Sequence, residues 1–274
     1  TKTFVENFKT KCMSATEVFT KKYTDKEYHF TLYYYDQAGN LVKTIPPDGV
    51  VPVTSTADFN KIKNDRAAKT HTFNTAHKLP TRYTYNSLNQ LVEQLTPDGG
   101  KTVFYYDAVG RLVVSQNAKQ AAASPNQWSY TVYDGQGRIN ETGQTTTNTG
   151  ISTYYVSGKL SENQYNKWLK LGVHDQITKT YYDKPVNKFA LQQLNLRGRV
   201  SCITYQEAAN TGYDYATHYS YDVHGNVADL VHEDIAMRTI GQKYKRIQYN
   251  YDLISGKVNS VIYQPDMPDQ LIHR

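Results

Sequence analysis

One motif, repeated along the chain, constrains the fold more than any other feature. Tyr35-Asp36-Gln37-Ala38-Gly39-Asn40-Leu41 returns as Tyr106-Asp107-Ala108-Val109-Gly110-Arg111-Leu112. It returns again as Tyr133-Asp134-Gly135-Gln136-Gly137-Arg138-Ile139 and as Tyr221-Asp222-Val223-His224-Gly225-Asn226-Val227. The shared pattern is Tyr-Asp-x-x-Gly-polar-aliphatic, and self-similarity of this kind marks a repeat architecture. Degenerate copies fill the gaps. Tyr85-Asn86-Ser87-Leu88-Asn89-Gln90-Leu91 replaces Asp and Gly with Asn, which tolerates positive φ better than most residues. Tyr251-Asp252 reaches its glycine, Gly256, one residue late, and Tyr182-Asp183 opens the pattern without a nearby Gly, an insertion following to about Leu196.

Each copy predicts a β-hairpin. An aromatic often stands two residues before the motif tyrosine, as in Tyr33/Tyr35, Tyr83/Tyr85, Phe104/Tyr106, Tyr219/Tyr221 and Tyr249/Tyr251. Residues two apart in a strand share a face, so these rings form a ladder. Asp at the first corner and Gly at the fourth suit a type I turn, and a left-handed Gly there closes the loop as a bulge. The return strands run from Leu41, Leu91 and Leu112. Pro47-Asp48-Gly49 and Pro97-Asp98-Gly99 follow their motif tyrosines at the same distance and predict the wider turns between hairpins. A single hairpin buries too little to be stable, so the units must stack into one sheet. The fold class is therefore all-β, built of stacked antiparallel hairpins.

Composition agrees. Tyrosine supplies 25 of 274 residues, and Tyr, Thr and Val suit a half-buried pleated surface. The mean hydropathy of −0.68 and the lack of a long apolar run speak against a membrane-spanning helix. The net charge of +6 is spread along the chain, densest at Lys21-Lys22 with Lys26, and no stripe or motif points to nucleic acid. Cys12 and Cys202 have no metal-ligand spacing; pairing is open to them, and buried thiols are the favoured reading.

The Tyr-Asp-x-x-Gly-Arg-Leu copies resemble the YD repeats of Rhs-type proteins: bacterial polymorphic toxins, wall-associated proteins, insecticidal toxin-complex shell subunits and teneurins. The resemblance runs from about Tyr33 onward and is strongest over Tyr33–Val50, Thr81–Leu112 and Leu196–Tyr205, which look most like Rhs chains of Bacteroidetes. It implies a ribbon of strands wound spirally into a hollow cage, secreted or at the cell surface, that encloses a toxic C-terminal domain. It also implies further YD repeats of a parent chain as partners. Thr1 in place of Met and the strand-like Leu271-Ile272-His273-Arg274 lead to the same expectation, a single shell segment, residues 1–274, of a longer chain. Family members cleave themselves with aspartates in a C-terminal region that has no counterpart here, so no protease role carries over.

Three insertions interrupt the pattern. Residues 54–80 are expected as a short helix or surface loop, and 115–127 as a loop or one helical turn ended by Pro125. Residues 157–176 are expected as a helix capped by Ser157 or Ser161 and stopped by Gly172.

No catalytic motif, cofactor-binding loop or metal-ligand set stands out. There is no Gly-x-Ser-x-Gly, phosphate-binding loop or His-Glu-x-x-His. His218, His224 and His232 fall in one region, but their spacing gives no tight ligand pair. Asp36, Asp107, Asp134, Asp222 and Asp252 recur once per hairpin, which suits turn formation better than catalysis or calcium, since calcium needs carboxylates gathered in one loop. The tyrosine ladder supports two readings. Cross-strand aromatic packing is the stronger; a surface for glycans or a cell-surface partner is the alternative. The expected function is structural, without chemistry of the segment's own.

Overall fold

The computed structural model describes residues 1–14, 21–22, 29–155, 158–186, 191–208 and 212–274. Lys26 and Ser157 lie outside the described residues.

Fifteen strands form one antiparallel sheet in strict sequence order, so every strand hydrogen-bonds to its chain neighbours. The all-β expectation of stacked hairpins is borne out. The strands are β1 (Leu32–Tyr35), β2 (Leu41–Ile45), β3 (Thr81–Tyr85), β4 (Leu91–Thr96), β5 (Gly100–Tyr106), β6 (Leu112–Gln116), β7 (Gln127–Tyr133) and β8 (Ile139–Thr146). They continue as β9 (Val173–Tyr182), β10 (Val200–Gln206), β11 (Tyr215–Tyr221), β12 (Val227–Asp234), β13 (Tyr244–Tyr251), β14 (Val258–Tyr263) and β15 (Leu271–His273). Among the described residues four helices accompany them: α1 (Lys2–Met13), α2 (Thr56–Ala68), α3 (Ala118–Ala122) and α4 (Glu162–Leu169). No helix among the described residues is long and apolar enough to cross a membrane.

The motif sets each hairpin's geometry. In the β5–β6 turn the Asp107 amide donates to the Arg111 carbonyl and the Gly110 amide to the Asp107 carbonyl, with Gly110 at φ +89°. The β1–β2, β7–β8 and β11–β12 turns repeat both bonds, with Gly39, Gly137 and Gly225 at φ +84°, +81° and +97°. Asn89 takes the same left-handed conformation at φ +58°. The ladder register shifts by one residue at the motif tyrosine, as in Tyr105↔Val114 followed by Tyr106↔Leu112, so the extra residue is a bulge.

The β9–β10 hairpin corrects the sequence reading. Its motif is split rather than missing a glycine: Gly198, at φ +73°, donates its amide to Asp183 Oδ1, and Asp183 donates its own amide to the Arg199 carbonyl. Gly198-Arg199-Val200 thus completes Tyr182-Asp183 across the insertion.

Residues paired across strands share a face. The row Tyr105↔Val114↔Tyr130↔Gly143 lies on one face, and the row Phe104↔Ser115↔Ser129↔Gln144 on the other. The first face is roofed by the third insertion. Trp168 and Tyr165 of α4 join Val114, Trp128, Ile151 and Leu160 in a buried cluster, with Trp168 edge-on to Trp128 at 5.9 Å. Helix α4 starts at Ser161, whose Oγ accepts the Gln164 amide while the Gln164 side chain accepts the Ser161 amide, a capping box. The tyrosine hydroxyl of Tyr165 donates to the Thr131 carbonyl and Trp168 Nε1 to the Thr149 carbonyl, so both aromatic dipoles are satisfied as they enter the core. Gly143 has to be glycine: a Cβ there would stand 2.9 Å from the Tyr130 hydroxyl oxygen.

The same face carries the cross-strand ion pairs Lys101–Glu93, Lys179–Glu141 and Arg246–Asp229. Helix α1 buries none of its residues. Cys12, on that helix, is exposed, which corrects the expectation of two buried thiols; Cys202 is buried, and no disulfide joins the two.

Replacing Gly137 with Val forces a β-branched residue into the left-handed region and is expected to cost about 1–2 kcal/mol or more. Unfolding in urea measures it, and an unchanged midpoint would contradict the bulge-turn account.

Candidate functional site: the tyrosine seam between repeats

The motif does more than build its own turn. Every motif tyrosine after the first sends its hydroxyl back to the preceding repeat, to the carbonyl of the aliphatic residue that ends that repeat's motif. Tyr85 donates to Leu41 O at 3.0 Å, Tyr106 to Leu91 O at 2.8 Å and Tyr133 to Leu112 O at 2.9 Å. Tyr182 donates to Ile139 O at 2.9 Å, Tyr221 to Val200 O at 2.9 Å and Tyr251 to Val227 O at 3.0 Å. The bond survives the split motif and the insertions. The six rings are half-buried, and burial raises the hydroxyl pKa of Tyr106, Tyr133, Tyr221 and Tyr251. These four stay neutral donors at physiological pH.

Asp, at the second place, organises the turn. Asp107 Oδ1 accepts the Val109 and Arg111 amides at 3.0 and 2.8 Å, and Asp134 Oδ1 accepts the Gln136 and Arg138 amides at 2.9 Å each. The sixth residue, unassigned from sequence, supplies the side chain that answers the second carboxylate oxygen. Asn40 Nδ2, Arg111 Nε, Arg138 Nε and Asn226 Nδ2 donate to the Oδ2 of Asp36, Asp107, Asp134 and Asp222 at 2.7–3.0 Å. In the Asn86 copy the polarity reverses: Asn86 Nδ2 donates to Gln90 Oε1 at 2.8 Å. In the longer Asp252 copy, Asp252 Oδ1 instead accepts the Ile254 and Ser255 amides. A signal was present in the sequence: the sixth place holds Asn or Arg after Asp, but Gln after Asn.

The sixth residue also reaches forward. The Arg111 guanidinium lies over the Tyr133 ring at 4.4 Å and that of Arg138 over Tyr182 at 4.1 Å, with Arg199 over Tyr221 at 5.5 Å. Arg138 also pairs with Asp183 Oδ2 at 2.8 Å, while Gln90 Nε2 donates to Gly110 O and Asn40 Nδ2 to Asn89 Oδ1. One side chain therefore closes its own turn and holds the next. Hydrogen bonds from the Asn40 side chain and backbone hold the Asp36 carboxyl below the ordinary range, and those from Arg138 and Gly198 do so for Asp183. For Asp134 and Asp222, burial pushes upward but the turn's donors outweigh it.

A second polar centre lies on the opposite face. Glu233 and His218 are each 1% exposed. His218 Nε2 donates to Glu233 Oε2 at 3.0 Å, Lys243 Nζ to Oε1 at 2.9 Å, and the Tyr213 hydroxyl to both oxygens at 3.0 Å. The centre ties β11, β12 and the approach to β13. Burial alone would raise the Glu233 pKa, but bonds from Lys243, His218 and Tyr213 outweigh it and hold the carboxyl below its ordinary range. Burial and Glu233 together push the Tyr213 hydroxyl up to about 12. His232 stands on the other face, because His218 pairs with Val231, and His224 sits in an exposed turn position. The three histidines do not converge, and among the described residues no group of His, Cys, Asp and Glu is placed to hold a metal.

Residues 85–122 match the RHS Repeat family model, which makes this stretch, from Tyr85 through α3, an RHS repeat. No curated protein matches the chain. Similar solved structures include a Photorhabdus luminescens Tc holotoxin pore, at 15% identity and a TM-score of 0.41 over 89% of this chain and 10% of that one. Another is a TcdB2–TccC3 crystal structure, at 16% identity and 0.41, covering 89% and 11%. The chain spans about a tenth of the length of these structures.

Two outcomes follow. Asp107→Asn is expected to lose about 1 kcal/mol and Arg111→Gln a similar amount, while the double substitution, which recreates the Asn86–Gln90 pairing, should recover part of the loss; strictly additive losses in a double-mutant cycle would contradict the assignment. Because the folded-state pKa of Glu233 is depressed, its contribution is present above its unfolded value of 4.5 and is lost as pH falls through the folded value. Acid unfolding below pH 4.5 should therefore be shallower in Glu233→Gln, which should be destabilised by about 2–3 kcal/mol at neutral pH; an identical pH profile would remove Glu233 from the account.

Proposed function

We propose that this chain is a wall segment of an Rhs-type β-cage that encloses a C-terminal toxin domain of its parent polypeptide, outside the producing cell, and has no catalytic chemistry of its own. The observation that carries this reading is the identical bond at six successive seams, Tyr hydroxyl to preceding-repeat carbonyl. It turns a series of hairpins, each too small to be stable, into one continuous wall. Six of the seven motif tyrosine hydroxyls are spent on the preceding repeat, and Asp36, Asp107, Asp134 and Asp222 accept bonds at both carboxylate oxygens within their own turns. The RHS repeat at 85–122 supports the same reading. Further YD repeats of the parent chain would continue the wall, and the whole of 1–274 would serve as one segment interrupted near 54–80, 115–127 and 157–176. The glycan-binding alternative gains nothing from rings whose hydroxyls are engaged.

Limited proteolysis of the parent polypeptide tests the reading. The C-terminal domain should resist cleavage in the intact protein, and paired Tyr133→Phe and Tyr182→Phe substitutions should expose it. A domain digested as fast within the parent as alone would contradict enclosure.

A further inference from the structure

A cleft of about 430 Å³ lies between the start of α4 and two successive motif turns, those of Asp107 and Asp134. Its floor is aliphatic, made by Val113 and Val132. The chain entering α4 runs parallel to the Asp107 turn through the bridge Asp107↔Leu160, which sets the helix beside the turns. Three copies of the motif carry arginine at the sixth place, and two of them use its outer nitrogens. Arg138 Nη2 donates to Asp183 Oδ2 at 2.8 Å and Arg199 Nη1 to the Asn195 carbonyl at 2.7 Å. Arg111, which lines the cleft, spends Nε on Asp107, but its two Nη nitrogens donate to no acceptor among the described residues. Asp134 cannot serve it as Asp183 serves Arg138, because Arg138 and the turn amides already fill that carboxylate. On the α4 side, Glu162 and Asn166 are exposed, and their side chains bond to nothing among the described residues. The helix start does not need Glu162 as a cap, since Ser161 and Gln164 close the capping box.

We propose that this cleft binds a small zwitterion, an amino acid or dipeptide with an apolar side chain. Its carboxylate accepts from the two Nη nitrogens of Arg111, whose planar fork matches a carboxylate. Its ammonium donates to the Glu162 carboxylate, with Asn166 beside it, and its side chain lies on Val113 and Val132. The ligand class follows from the charges: a guanidinium and a carboxylate line one cleft and form no ion pair with each other, so a ligand carrying both signs answers both. A ligand of one sign leaves the other side unanswered. The turn aspartates do not compete for the ammonium, because Asp107 and Asp134 accept bonds at both oxygens within their own turns. The volume falls in the range of small-molecule sites, about 300–1,000 Å³. Binding here does not depend on enclosure of a toxin domain.

Amide NMR of the full chain during titration with L-leucine tests this. The amides of Val109, Gly110, Gly135 and Glu162 should shift together, with a Kd on the order of 1 mM. Leucinamide, which lacks the carboxylate, and N-acetylleucine, which lacks the ammonium, should each bind about tenfold more weakly, the worth of one charge-assisted hydrogen bond. Leucyl-leucine binding more tightly than leucine assigns the cleft to peptides, and the reverse assigns it to free amino acids. Glu162→Gln should weaken leucine about tenfold and leave N-acetylleucine unchanged, since only the ammonium contact is lost. Arg111→Gln, which also loosens its own turn, should remove the preference for leucine over leucinamide. Shifts confined to other regions, no saturation by about 20 mM leucine, an analogue that binds as tightly as leucine, or leucine binding indifferent to Glu162→Gln would each overturn the proposal.

Discussion

The hydrogen bond from a buried-edge tyrosine hydroxyl to the carbonyl of the preceding repeat is the interaction on which the sheet depends. Backbone ladders pair any two strands of suitable register; they do not say which register. The ring settles this, because the hydroxyl reaches its acceptor only when the motif tyrosine stands beside the end of the preceding motif. A slip by one residue would turn every ring to the opposite face and strand both donor and acceptor. Six such bonds give a single sheet of fifteen strands in unbroken sequence order. The contact is local in space and indifferent to what the chain does between repeats, which explains why the seam holds at a sequence separation of 15 for Tyr106 and of 44 for Tyr85.

That indifference shapes the two faces. Motif rings occupy one face, and two insertions, the one that carries α4 and the one that splits the Tyr182 motif, fold onto the other. There α4 brings Trp168 and Tyr165 onto Trp128 and Val114, and Gln193, from the insertion that splits the Tyr182 motif, donates to the Ser201 and Tyr219 carbonyls. The ion pairs and the Glu233 centre share this face with them. The arrangement gives a wall with one side of rings and hydroxyls and one side of roofs and charges. The role of the sixth motif residue fits the same scheme: Arg138 closes the turn of one repeat through Asp134, covers the ring of the next, and ties to Asp183.

What was legible in the sequence is what depends on neighbours a few residues away. The hairpins follow from Asp and Gly at fixed offsets, and of the two caps the sequence offered for α4, Ser157 and Ser161, the structure uses Ser161. The seam bond was hidden because its partners are far apart in sequence and one of them is a backbone carbonyl, which has no residue-type signature. The carboxylate partner of the sixth residue was within reach, since Asn86 with Gln90 departs from Asp with Arg or Asn in step, but a single exchange carries little weight until the contact is seen. Gly198 was missed because the insertion separates it from Asp183, although Gly-Arg-Val stands intact. The Glu233 centre gathers residues from two strands and the two segments that lead into β11 and β13, and only the register reveals that His218 and His232 point to opposite faces. Cys12 was misjudged because thiols are usually buried, and α1 buries nothing.

The most direct test is a tyrosine-to-phenylalanine scan of the motif position, read by urea unfolding of each variant. Phenylalanine keeps the ring and removes only the hydroxyl. The account predicts a loss of about 1 kcal/mol at each of Tyr85, Tyr106, Tyr133, Tyr182, Tyr221 and Tyr251, and none at Tyr35, whose hydroxyl serves no internal seam. Equal effects at all seven positions, or no effect at the six, would contradict it.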